Sequence, residues 1–295
     1  MKEINFLKYT KIYFLISAII VIPGLISLGL WGLRLSIDFT GGTLLEIKTS
    51  ASQDMIQKTA ESQELSISSI QTLGDSAYIL RLRQVSSEQN TQFKAQLASA
   101  SASSVEELRF ETVGPTVGAE LTQKALLAII LSSLFIILFI SWSFRNIPHQ
   151  YSAWKFGICA IVSLVHDVLV VVGLFSLLGH FYHVEVDALF VTAVLTVIGF
   201  SVHDTIVVFD RVRENLSKMK NHSFADIVNF SLSETLGRSI NTSVTVIITL
   251  VSLLVFGGDT IRWFVFALLI GIISGTYSSI FNAAPLLALW ERRRS

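Results

Sequence analysis

The chain has 295 residues, with 22 Lys and Arg against 22 Asp and Glu, and so a formal net charge of zero; no general basic field points to nucleic acid. With 52% hydrophobic and 15% charged residues and a mean hydropathy of +0.62, the composition excludes an ordinary soluble protein. The single cysteine, Cys159, excludes a disulfide framework within the chain.

The first apolar run, residues 12–33, is followed by no small-residue cleavage site and reads as an uncleaved membrane anchor. Five further runs, at 125–142, 156–178, 189–209, 240–256 and 263–289, approach or exceed the roughly 20 residues that a helix needs to cross a hydrocarbon core. The expected architecture is a polytopic α-helical membrane protein with six transmembrane helices and one external α+β domain between the first and second. Residues 1–33 form the N-terminus and first span, 34–122 the external domain, and 123–295 the other five spans.

Within the external domain, alternation predicts strands at 43–48, 66–72, 78–83 and 105–113. Helical spacing predicts helices at 53–65 and 87–100, and Gly74-Asp75 is a turn signal. The order βαββαβ is that of a ferredoxin-like fold. On the last strand, Leu108 and Phe110 share one side, Arg109 and Glu111 the other. The stretch from Leu33 to Thr122 has 7 Lys and Arg against 11 Asp and Glu, a net of −4, which suits a protein partner better than nucleic acid or anionic lipid. The bland alternative is a spacer.

Loop charges give the orientation. Lys2, Lys8 and Lys11 precede the first span; Arg145 and Lys155 follow the second; Arg211, Arg213, Lys218 and Lys220 follow the fourth; Arg292, Arg293 and Arg294 end the chain. The intervening loop 179–188 has no Lys or Arg, and 257–262 has Arg262 alone. Both termini are therefore expected in the cytoplasm, and the soluble domain outside. Trp31, Trp142, Trp154, Trp263 and Trp290 fit an interfacial belt.

Residues 197–215 read V-I-G-F-S-V-H-D-T-I-V-V-F-D-R-V-R-E-N. Asp204 lies in a mainly apolar helical stretch, and a carboxylate at membrane depth costs a few kcal/mol or more. Arg238 opens the fifth span at the same membrane face, so antiparallel neighbours are expected to bring Asp204 and Arg238 to similar depth. A buried Asp–Arg pair keeps the carboxylate ionised, and separating the pair lets it take a proton. The plain alternative puts Arg238 in the cytoplasmic cluster, with Asp204 snorkelling toward it.

His166-Asp167 lies in the third span, and His203-Asp204 repeats the dipeptide in the fourth. Adjacent helical residues do not face each other, so neither pair is expected to act alone. Across the two helices, Asp167 and His203 would join one polar path, fed by His180, His183, Glu185 and Asp187 at the outer mouth. The alternative is interhelical hydrogen bonding.

No enzyme is expected. Ser201, His203 and Asp204 crowd into one helical turn and diverge, and H-E-x-x-H, G-x-S-x-G and P-loop patterns are absent. A metal site from His166, Asp167, His203 and Asp204 is disfavoured, and no metal or cofactor is assigned. Two packing features remain. Gly271, Gly275, Ser279 and Ala283 recur every four residues along the last span, with Thr276 and Asn282 adding polar groups; such a stripe permits close helix contact. Residues 223–236 begin with the capping pattern Ser223-x-x-Asp226 and read as a separate amphipathic helix on the inner face.

Five motifs together resemble the SecF family of the bacterial Sec export machinery: D-F-T-G-G at 38–42, V-G-P-T-V-G-A-E-L at 113–121, H-D-V at 166–168, D-T-I-V-V-F-D-R-V-R-E-N at 204–215 and G-R-S-I-N-T-S at 237–243. The resemblance covers nearly the whole chain. It singles out Asp38, Phe39, Gly41, Gly42, Asp210, Arg211, Arg213, Glu214 and Asn215 as family-motif residues. It implies one six-helix half of a fold shared with the resistance-nodulation-division superfamily, the other half being SecD, in a bacterial inner membrane. It further implies an auxiliary of the SecA- and SecY-E-G-driven export of preproteins, with YajC and YidC as further partners, and powered by the proton-motive force rather than a cofactor. In that reading Asp204 and Arg238 take part in proton passage and the outer domain engages emerging polypeptide; the polar path read from the residues themselves adds His203, Asp167 and His166 as further members. Competing readings are a static assembly factor of the channel and half of a small-molecule proton-antiport exporter.

Overall fold

The computed structural model describes residues 5–73, 76–144 and 153–292. Lys2, Gly74, Asp75, Arg145, Arg293 and Arg294 lie outside the described residues. The chain forms two compact units, one of residues 35–126 and one of 1–34 with 127–295.

In the smaller unit, a short helical turn, α2 (Ile37–Thr40), leads into β1 (Gly42–Lys48), α3 (Gln53–Ser62), β2 (Ile67–Leu73), β3 (Ala77–Leu82), α4 (Ser87–Ser101) and β4 (Glu106–Val113). The sheet order is β2-β3-β1-β4 with every neighbouring pair antiparallel, which is the expected ferredoxin-like arrangement. The helices start where serines cap them. Ser52 Oγ accepts from the Met55 amide, and Ser86 with Gln89 forms a complete capping box. Alternation places Leu45, Ile47, Leu80 and Leu82 on one sheet face, where Ile56, Phe93 and Leu97 of the helices complete the core.

Two local expectations shift. α3 stops at Ser62 because Glu64 turns the chain with φ 59°. Leu108 is 47% exposed although Phe110 packs on the core. The ladder steps from Glu46↔Arg109 to Ile47↔Glu107, and this bulge breaks the alternation there.

The glycines that enter the sheet have a steric reason. Gly41 takes φ +70°, and a Cβ there would lie 2.9 Å from Pro115 Cα; a Cβ on Gly118 would lie 3.0 Å from the Phe39 carbonyl. Backbone therefore packs on backbone where the first and last segments of this unit meet, and side chains do not fit.

Among the described residues, six helices are long and apolar enough to cross a membrane. They begin with α1 (Thr10–Trp31), α5 (Pro115–Ser143), α6 (Ala153–Tyr182), α7 (Ala188–Lys218) and α8 (Phe224–Phe256). The sixth runs through α9 (Asp259–Ser278), a wide π turn (Ser279–Ala283) and α10 (Ala284–Arg292). α7 and the last span are the most enclosed; α5 is the least. The segment expected as a separate inner-face helix at 223–236 is instead the first third of α8. Ser223 caps it, and the helix continues through Gly237, because a lone glycine with no proline beside it is tolerated inside a helix.

Close helix contacts follow the small residues. A Cβ on Gly24 of α1 would lie 2.9 Å from Gly173 Cα of α6, and one on Gly173 would lie 2.7 Å from Gly24 Cα. The four-residue stripe docks α9 on α7. A Cβ on Gly271 would overlap Val197, a Cβ on Gly275 would lie 3.1 Å from Ser201 Cβ, and Ser279 Oγ is 2.8 Å from Thr205 Oγ1. The constant offset of these pairs means that α7 and the last span run parallel. The π turn aims Asn282 at α1, where its amide donates to Ser17 Oγ at 2.7 Å.

Candidate functional site

Asp204 and Asp167 are both buried, 3% and 0% exposed, but their surroundings differ. Asp204 Oδ2 is 3.4 Å from Thr276 Oγ1 of α9, and the Ser243 side chain of α8 is the next hydroxyl beside it. Ser243 and Thr276 bond each other at 2.6 Å. An apolar groove of about 230 Å³ runs between α8 and α9, with Ile240, Val244, Ile273 and Phe281 among its walls, and this hydroxyl pair lies on it.

Arg238 is not Asp204's partner. Arg238 is exposed and forms no ion pair among the described residues. The register explains why. Asn215 meets Ser231, Arg211 meets Glu234, and Asp204 meets Ser243, so Arg238 comes level with Val208. That is four residues, about 6 Å, nearer the charged helix end than Asp204. The equal depth expected from the sequence assumed that α8 began at the membrane face. It begins some fourteen residues earlier, and this shifts the pairing.

Asp167 is saturated. Its Oδ2 accepts from Ser201 Oγ of α7 at 2.5 Å and from Ser278 Oγ of α9 at 2.6 Å; its Oδ1 accepts from Ser274 Oγ at 2.7 Å and lies 3.0 Å from His166 Nδ1. Two expectations are corrected here. His166 and Asp167, though adjacent, do meet, because Nδ1 is the ring nitrogen nearer the backbone and Asp167 reaches back to it. Asp167 and His203 do not join one path, because His203 is exposed on the other side of α7 and Ser201 occupies the place across from Asp167.

The residues at the expected mouth are otherwise engaged. His180 stacks on Trp31 at 3.7 Å, and Arg34 lies 2.7 Å from His183 Nδ1 and 3.4 Å from Glu185. Asp187 caps α7 through the Phe190 amide at 2.7 Å. Seventeen residues of α7 separate Asp187 from Asp204, about 25 Å along the axis, so these groups do not converge on it.

The charged end of α7 is a clamp. Arg211 bonds Glu214 at 2.5 Å and Glu234 through two nitrogens at 2.5 and 2.7 Å, a bidentate geometry. Asn215 donates to Ser231 and Glu234 at 2.9 and 2.8 Å, and Arg213 pairs with Asp210 at 2.5 Å. These motif residues thus fix α7 against the start of α8. A buried ion pair between Lys155 and Glu291 joins α6 to α10, with Trp154 edge-on to Trp290 at 5.1 Å.

Sequence reasoning missed Ser201, Ser243, Ser274 and Ser278 as site residues. The only signal for the last two is their spacing of four in the run S-G-T-Y-S, one face of a helix turned toward a single acceptor.

The pattern described as "Protein export membrane protein SecD/SecF, C-terminal" matches residues 92–293, and that described as "SecD/SecF GG Motif" matches 26–53. A protein translocase subunit SecF of Thermobaculum terrenum is 48% identical over 98% of this chain and 95% of its own length. A protein translocase subunit SecDF of Bacillus subtilis is 36% identical over 98% of this chain, which spans 38% of that longer protein. In space, the chain superposes on a crystal structure of SecDF from Thermus, described as a translocon-associated membrane protein, with a TM-score of 0.81 at 30% identity; it covers 99% of this chain and 39% of that one.

Proposed function

The chain belongs to the SecD/SecF family of protein export membrane proteins, and on that footing we propose that it is an auxiliary subunit of the Sec protein translocase that works with SecD and draws on the proton-motive force. SecDF relatives, in which this chain corresponds to somewhat over a third of a longer protein, support SecD as the partner that supplies the remaining helices. The chain lies in the bacterial inner membrane with both termini in the cytoplasm and the sheet domain outside. It meets the SecY-E-G channel and the exported polypeptide, and it uses no cofactor.

The observation that carries this reading is Asp204: a carboxylate buried at mid-helix, with one hydroxyl at 3.4 Å, a second beside it and no cation paired to it among the described residues. Such a group is costly in a membrane unless it titrates or finds a partner. In the proposed cycle, Asp204 takes a proton arriving through the partner interface. A shift of α7 against α8 by about one turn, with release of the Arg211–Glu234 and Asn215–Ser231 contacts, then brings Arg238 to its level, and the proton leaves inward. Transporters built from two halves place ion sites near the interface of the halves, and the groove between α8 and α9 leads toward Ser243 and Thr276.

The test is export of a secretory protein into inverted vesicles, with and without an imposed proton gradient, comparing the natural chain with Asp204→Asn at equal assembly with SecD. Loss of the gradient's stimulation is expected. Full stimulation in the mutant would leave Asp204 structural and favour the static assembly factor.

A further inference from the structure

We propose that Asp167 is a positioning residue rather than a station on the proton route: its carboxylate, filled by donors from α6, α7 and α9, locks these helices together and so sets where Asp204 stands. This inference rests on the reading of Asp204 just given.

An ionised carboxylate offers about four acceptor sites. Ser201, Ser274, Ser278 and His166 occupy four around Asp167. A proton entering there must displace a donor already in place, whereas Asp204 has one hydroxyl at 3.4 Å and a second beside it among the described residues. Serine hydroxyls from two different helices supply three donors, and His166 Nδ1 lies 3.0 Å from Oδ1. Ser163, one turn earlier on α6, donates to Ser278 at 2.8 Å, so the ring of bonds closes back on α6. Gly275 leaves the necessary space: a Cβ there would lie 3.1 Å from Ser201 Cβ and 3.6 Å from Asp167 Oδ2.

The consequence for Asp204 is geometric. Ser201 is one turn from Asp204 on α7, and Ser274 and Ser278 flank Thr276 on α9. The hub therefore fixes the two helices that supply Asp204 and its Thr276 partner, on the faces that meet α6. The titratable groups around the hub are His166 on α6, Asp204 on α7 and Tyr277 on α9. His166 Nε2 has no hydrogen-bond partner among the described residues, and Tyr277 donates to the Tyr13 carbonyl at 2.7 Å, so neither links Asp167 onward to Asp204.

The experiment measures gradient-stimulated export per assembled complex, across a range of pH, for the natural chain, Asp167→Asn, Ser274→Ala/Ser278→Ala and Asp204→Asn. Alongside it, Thr205→Cys is introduced into each chain after replacing Cys159 with Ala, and its labelling by a membrane-permeant maleimide is timed. Thr205 is buried in the α7–α9 contact, so labelling reads the opening of that contact whatever Asp204 does. Loss of buried hydrogen bonds of this kind is expected to lower the stimulated rate about tenfold in Asp167→Asn and in the double serine variant. The pH midpoint stays unchanged, and the introduced thiol labels severalfold faster. Asp167→Asn abolishing the gradient response as completely as Asp204→Asn, or shifting the pH midpoint, overturns the proposal by making Asp167 a proton carrier. Unchanged labelling overturns it too. Should Asp167→Asn fail to assemble, the double serine variant decides by the same readouts. Should Asp204→Asn keep the full response, the ion-path reading fails, and the labelling rates alone judge the hub.

Discussion

The Ser201 hydroxyl donates to Asp167 at 2.5 Å, and Asp204 follows Ser201 by one turn of the same helix. The two intramembrane carboxylates are thus mechanically joined and chemically unlike. Asp167 is held by four polar groups, whereas Asp204 has one hydroxyl at 3.4 Å and a second beside it. A carboxylate crowded by donors suits a fixed joint. One with few donors, beside a groove, suits a group that changes its state.

Arg238 separates a coupling role from a packing role. It is exposed and level with Val208 rather than Asp204, so Arg238→Ala is expected to change stability by no more than about 0.5 kcal/mol, while removing gradient-stimulated export. Thermal unfolding of the detergent-solubilised chain and the vesicle assay check the two halves. A loss of stability as large as that of a core truncation would contradict the exposed placement.

The α1–α6 contact depends on Gly24 and Gly173. A side chain on Gly24 runs into the backbone of Gly173, whereas one on Gly29 meets nothing within 4 Å. Gly24→Leu is therefore expected to cost about 1–3 kcal/mol by overpacking. Gly29→Leu serves as the control on the same helix and is expected to stay near neutral. Melting curves of the two variants settle the comparison.

Lys155 and Glu291 form an ion pair whose side chains are 4% and 10% exposed. Removing one partner strands the other, so Lys155→Met is expected to destabilise by about 3–5 kcal/mol, with the double variant Lys155→Met/Glu291→Leu recovering most of the loss. A double-mutant cycle of unfolding midpoints measures it, and additivity of the two single changes would rule out the coupling.

In the sheet domain, the Lys94 ammonium at 2.5 Å, helped by the Asn90 amide at 2.8 Å, holds the Glu107 carboxyl below its usual range. Because the folded value is depressed, the stabilisation is complete above the unfolded value of about 4.3 and is lost as pH falls through the folded one. The Lys94 and Glu107 side chains are 26% and 31% exposed, and screening keeps the contribution under about 1 kcal/mol. The urea midpoint of the natural chain should exceed that of Glu107→Gln at about pH 6, and the difference should shrink toward about pH 3.

The number of spans, the βαββαβ order and the buried carboxylates were legible in the residues themselves, but not where α5 and α8 begin, ten and sixteen residues ahead of their apolar runs. Apolar length, strand alternation and a carboxylate within a long, mainly apolar helix are local properties. They follow from the period of a helix or strand and the cost of polar groups in hydrocarbon. What touches what was not legible. Asp167 meets Ser201 instead of His203 because the rotation of α7 follows the packing of Gly271 and Gly275 against Val197 and Ser201. Arg238 misses Asp204 because α8 runs unbroken from Phe224, which sets its register through Arg211–Glu234 and Asn215–Ser231. Adding or removing one residue of register turns a helical side chain by about 100°. Interhelical pairing is therefore decided only once every helix end and every close contact is in place, and no stretch of the chain specifies it alone.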